Sequence, residues 1–338
     1  MTGPASPEPA TRPATSPRSR SGGLRGWLAA SAVIIAGTVA VRLPDGLVWG
    51  MGNLLGRIAY RASKPRRERA RRNLRRIVGW MAATGTGPER YRRAASDPRA
   101  LESLVRSAFC QHAHYSLELV RVPRFTQRYM TEHMAIDTPE VVEEGLSVRR
   151  AVIVLGMHLG AIEMPGIYCV GRLGPIVAPM ETVANDRIQR YLYTSRATIG
   201  VRIVGLEDGR ELVAALRRNE PVGVVGDRAI TGAGIDTDFF GSPAKIPAGP
   251  AFLAVESGAP IYAGAARRTG PGRYLGSLRA VPIPPGGSRK ERIHAIVEAE
   301  ARIFEQLIAQ APDQWLAVFH PVWPDLEQTP GNSNGEAE

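Results

Sequence analysis

His158 stands in the stretch GMHLGAIEMPG, directly after the apolar run 151–155 (AVIVL). An imidazole is the side chain best suited to moving a proton on and off a reacting group near neutral pH. Glu163 follows five positions later, and Pro165 confines the next helix to a start at about residue 161 or beyond, because proline fits only a helix's first turn. Both side chains therefore fall at a strand-to-helix junction, on the edge where open α/β sheets place their ligands. Mid-helix, residues five apart diverge by about 140°. At a junction, the loop can fold so that the Glu163 carboxylate takes one ring N–H of His158 and leaves the other nitrogen free as a base. H-x-x-x-x-E is a short motif, and a histidine bonded to a loop carbonyl explains it equally well. The two cysteines, Cys110 and Cys169, supply neither a disulfide framework nor the spacing of a structural zinc site, so no metal is expected. Cys169, without a base nearby in sequence, reads as a small buried side chain rather than a nucleophile. His112, His114, His133, His294 and His320 carry no such motif and read as structural.

The elements that must position His158 alternate. Short apolar runs at 151–155, 174–178, 201–204, 222–225 and 260–265 read as strands, and 185–199, 208–218 and 248–257 between them as helices. Residues 99–123 and 289–311 read as longer helices. Continuous apolar strands interleaved with helices predict an α/β fold with a central, mostly parallel sheet flanked by helices.

The net charge of +11 is lopsided: 15 basic against three acidic residues up to Arg76, and 28 against 29 after it. Residues 61–76 (RASKPRRERARRNLRR) carry nine basic side chains and one acid, Glu68, which argues against a helix face laced with ion pairs. Apolar segments at 27–41 and 47–60 precede them, the pattern of an anchor on an anionic leaflet. The 16 uncharged residues between Arg25 and Arg42 reach about 24 Å as a helix, against a hydrocarbon core of roughly 30 Å. A crossing and an in-plane insertion remain alternatives, with a secretory signal disfavoured by the arginines downstream. The organisation expected is a disordered tail over 1–23, a membrane-anchoring region over 24–76, a catalytic domain over 77–326 and a second tail over 327–338. A nucleic-acid-binding reading leaves the apolar segments unexplained and finds no basic face elsewhere.

Three blocks together resemble a known family: LPDGLVWGMGNLLGRIAYRASKPRRERARRNLRRI, the His158 motif, and the stretch from Asp227 through Pro260, followed by PDQWLAVFHPVWPD. The order is similar to that of the bacterial lipid A lauroyl/myristoyl acyltransferases and the phosphatidylinositol mannoside acyltransferases, within the lysophospholipid acyltransferase group. The family motif is H-x-x-x-x-D, and Glu163 departs from it by one methylene. The resemblance implies acyl transfer from a thioester, acyl-CoA or acyl carrier protein, to a hydroxyl of a membrane glycolipid, with no other cofactor. It implies His158 as base, and it puts Glu181 where the mannoside enzymes carry a glutamate paired with the histidine; a helix N-terminal acid explains Glu181 as well. Arg196 and Arg228 become candidates for holding phosphate groups of donor or acceptor. Phe239 and Phe240 become candidates for lining an acyl groove, with burial in the core as the alternative. Residues 247–250 (PAGP) open a helix whose backbone N–H groups could serve an anion or oxyanion. The expected setting is the cytoplasmic side of the cytoplasmic membrane, on an anionic surface and with no nucleic-acid partner. A non-catalytic scaffold of the same fold and a lipid hydrolase are the rival functions.

Overall fold

The structure, a computed structural model, describes residues 41–147, 150–183, 185–229 and 233–327. The expected tail 1–23, most of the apolar segment 27–41 and the end 328–338 lie outside the described residues. Among the described residues no helix is long and apolar enough to cross a membrane.

A seven-stranded sheet carries the fold. Its strands are β1 (Met134–Ile136), β2 (Ile153–Gly156), β3 (Ile176–Met180), β4 (Val201–Gly205), β5 (Val222–Val225), β8 (Ile261–Gly270) and β9 (Arg273–Val281), in the order β1-β9-β8-β2-β5-β3-β4. Every pair is parallel except the β8/β9 hairpin. β2 and β5 lie side by side with Gly156 opposite Val225, so the loops that leave their carboxyl ends emerge together. The α/β expectation holds because these strands are short β-branched runs covered on both faces. Several features escaped the pattern, β1 and β9 among them. β8 runs five residues past 265, because Arg267 and Arg268 looked like the end of an apolar strand, and the polar β6/β7 ribbon (Ile235–Asp238, Pro243–Ile246) showed no signal.

The helices that frame the site are α1 (Asp45–Ala62), α2 (Lys64–Thr84), α3 (Pro98–Val120), α4 (Glu163–Leu173), α5 (Asp186–Thr198), α6 (Gly209–Arg217), α7 (Gly249–Ser257) and α8 (Arg289–Ala309). α3 starts where Asp97 accepts hydrogen bonds from the Arg99 and Ala100 amides, and α8 starts at a Ser288/Glu291 capping box. In α1 the usual amphipathic arrangement is reversed. Gly52 and Gly56 face inward, so close to α3 that a Cβ on Gly56 would lie 2.4 Å from the Cys110 Cα, while Leu47, Met51, Leu54, Leu55 and Ile58 form an exposed stripe.

Two expectations need correction. The arginines of α2 do form ion pairs: Arg69 with Glu327 at 2.9 Å, Arg71 with Glu68 at 2.6 Å and Glu102 at 2.7 Å, and Arg76 with Asp325. All these acids but Glu68 come from distant segments, which is why counting within 61–76 missed them. Phe239 and Phe240 are core residues and line neither of the cavities described below. They are 0% and 2% exposed, within an aromatic cluster with Trp80, Trp315 and Trp323.

Candidate active site

His158 is the second residue after β2 and Asp227 the second after β5, and the adjacency of the two strands brings them into contact. The His158 Nδ1 lies 2.7 Å from Asp227 Oδ1, and the His158 backbone N–H donates to Asp227 Oδ2 at 3.0 Å. Trp315 Nε1–H donates to the same Oδ2 at 2.6 Å. Asp227 is sealed from solvent, whereas the His158 side chain keeps 26% of its surface. Burial alone pushes the Asp227 carboxyl up, but the His158 charge and the hydrogen bonds outweigh it and hold the carboxyl below its usual range. A charged carboxylate can only accept, so Nδ1 carries the proton and Nε2 keeps its lone pair. Burial alone lowers the His158 pKa, yet the Asp227 charge and hydrogen bond, aided by Glu181 and opposed by Arg228, raise it above the ordinary value.

The loop bearing His158 is pinned on two sides. The Leu316 amide donates to the His158 carbonyl at 2.7 Å, the Gly160 amide donates to the Gln314 carbonyl at 3.0 Å, and Gly160 pairs with Ala266 in a short bridge. Gly160 has φ +65°, and a Cβ there would lie 2.1 Å from the Ala266 carbonyl oxygen, so the close approach requires glycine. Arg268 donates to the Gly160 carbonyl at 3.0 Å while its guanidinium grips Glu118 of α3, both of them buried. A fixed imidazole on a fixed loop is what a proton-transfer site needs, since misplacement by about 1 Å costs orders of magnitude in rate.

A cavity of about 350 Å³ opens at His158, lined by apolar side chains including Leu119, Ile162, Ile176, Ile199 and Ile203 together with Glu163, Glu181 and Arg196. A second, of about 290 Å³, shares the Pro179, Leu206, Val224 and Val225 wall and is bounded by Arg228 and the start of α7. Glu163 does not hold the His158 ring, contrary to expectation; that place belongs to Asp227. Glu163 is the first residue of α4 and accepts from Arg196 of α5 at 2.5 Å, both side chains largely buried. Arg196 is therefore neutralised within the chain, which removes the simplest reason to give it a phosphate. Glu181 is half exposed, 3.8 Å from Arg228, and Arg228 also donates to the His320 Nδ1 at 3.0 Å. Thus His158, Glu163, Glu181, Arg196 and Arg228 converge on one region, and Phe239 and Phe240 do not. The Cys169 thiol is fully buried in α4 with its pKa pushed up to about 12, so it stays protonated and unreactive. His114 is structural, stacked on Trp49 and bonded to Asn53, but His320 belongs to the rim of the site.

A family model described as "Bacterial lipid A biosynthesis acyltransferase" matches residues 17–324. The chain belongs to this family. It is an acyltransferase of lipid biosynthesis. Two curated relatives are similar across most of their length, both called phosphatidylinositol mannoside acyltransferase. The Mycolicibacterium smegmatis protein is 27% identical over 286 residues, covering 83% of this chain and 86% of the relative. The Mycobacterium tuberculosis protein (strain H37Rv) is 27% identical over 296 residues, covering 85% and 86%.

Sequence reasoning missed Asp227, Trp315, Arg268 and Gly160. Asp227 was within reach: it ends an apolar strand just as His158 does, so the same switch-point argument applies to it. Trp315 and Arg268 gave no local sign, because their roles exist only once the 314–316 and 266–268 segments lie against the His158 loop.

Proposed function

We propose that the enzyme moves a fatty acyl group from a thioester, acyl-CoA or acyl carrier protein, to a hydroxyl of a membrane glycolipid of the phosphatidylinositol mannoside or lipid A kind. The observation that carries this reading is the His158–Asp227–Trp315 arrangement at an apolar cavity large enough for a ligand. The relatives' names point to the mannoside as acceptor.

In the step we infer, His158 Nε2 takes the proton of the acceptor hydroxyl as its oxygen attacks the thioester carbonyl carbon. The tetrahedral intermediate collapses, the C–S bond breaks, and Nε2 returns its proton to the departing thiolate, leaving an ester and a free thiol. Asp227 is a positioning residue: it fixes the tautomer and stabilises the transient imidazolium. No acyl-enzyme is needed.

The same reading places the enzyme on the cytoplasmic face of the membrane. The exposed apolar stripe of α1, with Arg57 and Arg61 on the same helix, supports insertion into an anionic leaflet. Keeping an acyl chain in water costs about 0.8 kcal/mol per CH₂, so an enzyme handling such chains gains by working at the bilayer.

The test uses the full chain, palmitoyl-CoA and vesicles containing a phosphatidylinositol mannoside, with lipid mass spectrometry as readout. The expected product is heavier than the acceptor by one acyl group. His158→Ala should abolish it while leaving the circular dichroism spectrum intact; undiminished turnover would overturn the mechanism. Free fatty acid in place of the ester would identify a hydrolase. Flotation with anionic vesicles, weakened by Leu54→Glu and Ile58→Glu, tests the membrane contact.

A further inference from the structure

Five of the eight basic side chains of α2 have an acid or a carbonyl as partner, and Arg66 is among the others. Among the described residues its guanidinium makes no ion pair and lies instead over the rings of Phe319, 4.7 Å from the centroid, and Phe109, at 5.7 Å. His112 of α3 meets the edge of the same Phe319 ring at 5.3 Å. One residue further along the chain is His320, whose Nδ1 accepts from Arg228 at 3.0 Å, and the Arg228 Nε is buried without a partner. The segment is not loose: Asn73 of α2 donates to the carbonyls of Val318 at 2.9 Å and His320 at 3.0 Å.

Two guanidiniums and two imidazoles thus converge beside His158, and the carboxylate closest to being a counter-charge, Glu181, is half exposed and 3.8 Å from Arg228. The field is felt by the imidazoles. Burial first, and then their cationic neighbours, push His112 and His320 down to about 4. For His320 those neighbours are Arg228, His158, Arg66 and His112, so each of them lies within electrostatic reach of His320. Arg69, Arg72 and Arg76 of α2 are met by distant acids, whereas the cationic groups at the rim of the site have only the half-exposed Glu181 nearby, which gives them the chemistry of an anion receptor.

We propose that Arg66, His112, Arg228 and His320 form a subsite for a phosphate ester beside His158. Under the acyl-transfer reading, on which the choice of substrates rests, that group is either the phosphodiester of the lipid acceptor's headgroup or a phosphate of the donor's pantetheine arm. Both present the same anionic oxygens to the same donors. The fork of Arg66 would take two of those oxygens once drawn from its ring stack, and His320 is prepositioned by Asn73 to donate to a third.

Calorimetric titrations of the full chain with free coenzyme A and with glycerophosphoinositol test the subsite without relying on turnover. One of the two probes should bind the wild-type chain, more weakly as salt is raised. Arg66→Met, which keeps an apolar stem over Phe319, and His320→Gln, at the exposed rim, should each weaken that binding at least tenfold without a change in melting temperature. Loss for coenzyme A assigns the cluster to the donor, and loss for glycerophosphoinositol assigns it to the acceptor. If neither probe binds, or if both variants bind as the wild type does, the subsite is wrong. A chain that binds as expected but transfers no acyl group would instead overturn the acyl-transfer reading and leave the subsite standing.

Discussion

Asp227 at the end of β5 and Glu300 in the middle of α8 are both carboxylates closed off from solvent, and they settle in opposite charge states. Asp227 receives three hydrogen bonds, from the His158 amide and ring and from the Trp315 indole, and its pKa lies below the usual range. Neither oxygen of Glu300 has a partner, and burial pushes its carboxyl up to about 8. Glu118 is buried as well, and Arg268 and Tyr274 donate to it. The difference shows how far donors can offset the cost of burying a carboxylate. It also separates function from packing, since Asp227 holds the His158 loop and Glu300 holds nothing in the site.

Removing the charge at Asp227 is the most severe way to break this contrast. Asp227→Asn should reduce acyl transfer by about 10³–10⁴-fold, because an amide neither enforces the Nδ1–H tautomer nor stabilises the imidazolium. Initial rates on a variant with native circular dichroism check it. The pH dependence follows with a definite sign. The base form of His158 is the unprotonated ring and its pKa is raised, so wild-type activity should fall as the pH drops through that raised value. In Asp227→Asn the acid limb should move to lower pH.

Glu118→Ala strands the buried Arg268 guanidinium and should cost about 3–5 kcal/mol of stability in urea unfolding. Activity should fall with it, because Arg268 also holds the Gly160 carbonyl. Glu300 tests the neutral side of the comparison. Its folded pKa is raised from 4.5 to about 8, so its contribution to stability is complete below pH 4.5 and is lost as the pH rises through 8. Across that window the wild type should lose about 1.4 kcal/mol per pH unit from this group, and Glu300→Gln should flatten the slope. The smallest effect is expected at Glu163→Gln, since the amide oxygen still accepts from Arg196. The rate should fall less than tenfold and the acid limb should stay where it is. A shifted limb would mean that Glu163 reaches the imidazole after all.

His158 as the base, the strand before it and the helix after Pro165 were all legible in the chain, because each is written in a local pattern. The histidine's orienting carboxylate was not. Glu163 is close in sequence and Asp227 is 69 positions away, yet Asp227 makes the contact, because β2 and β5 are neighbours in the sheet. The same reason separates expectation from outcome at Arg196, matched by Glu163, and at the arginines of α2, matched by Glu102, Asp325 and Glu327. At Phe239 and Phe240 the chain could announce apolarity but not whether it faced a ligand or three tryptophans.

By itself, then, the sequence determined the central apolar strands and the helices between them, the α/β class, the proton-transfer side chain and the lopsided charge, all of which depend on composition and spacing over a few residues. Tertiary structure alone decided which acid meets which base. Charge pairing acts through space over a few ångströms, and the order of strands in the sheet sets those distances.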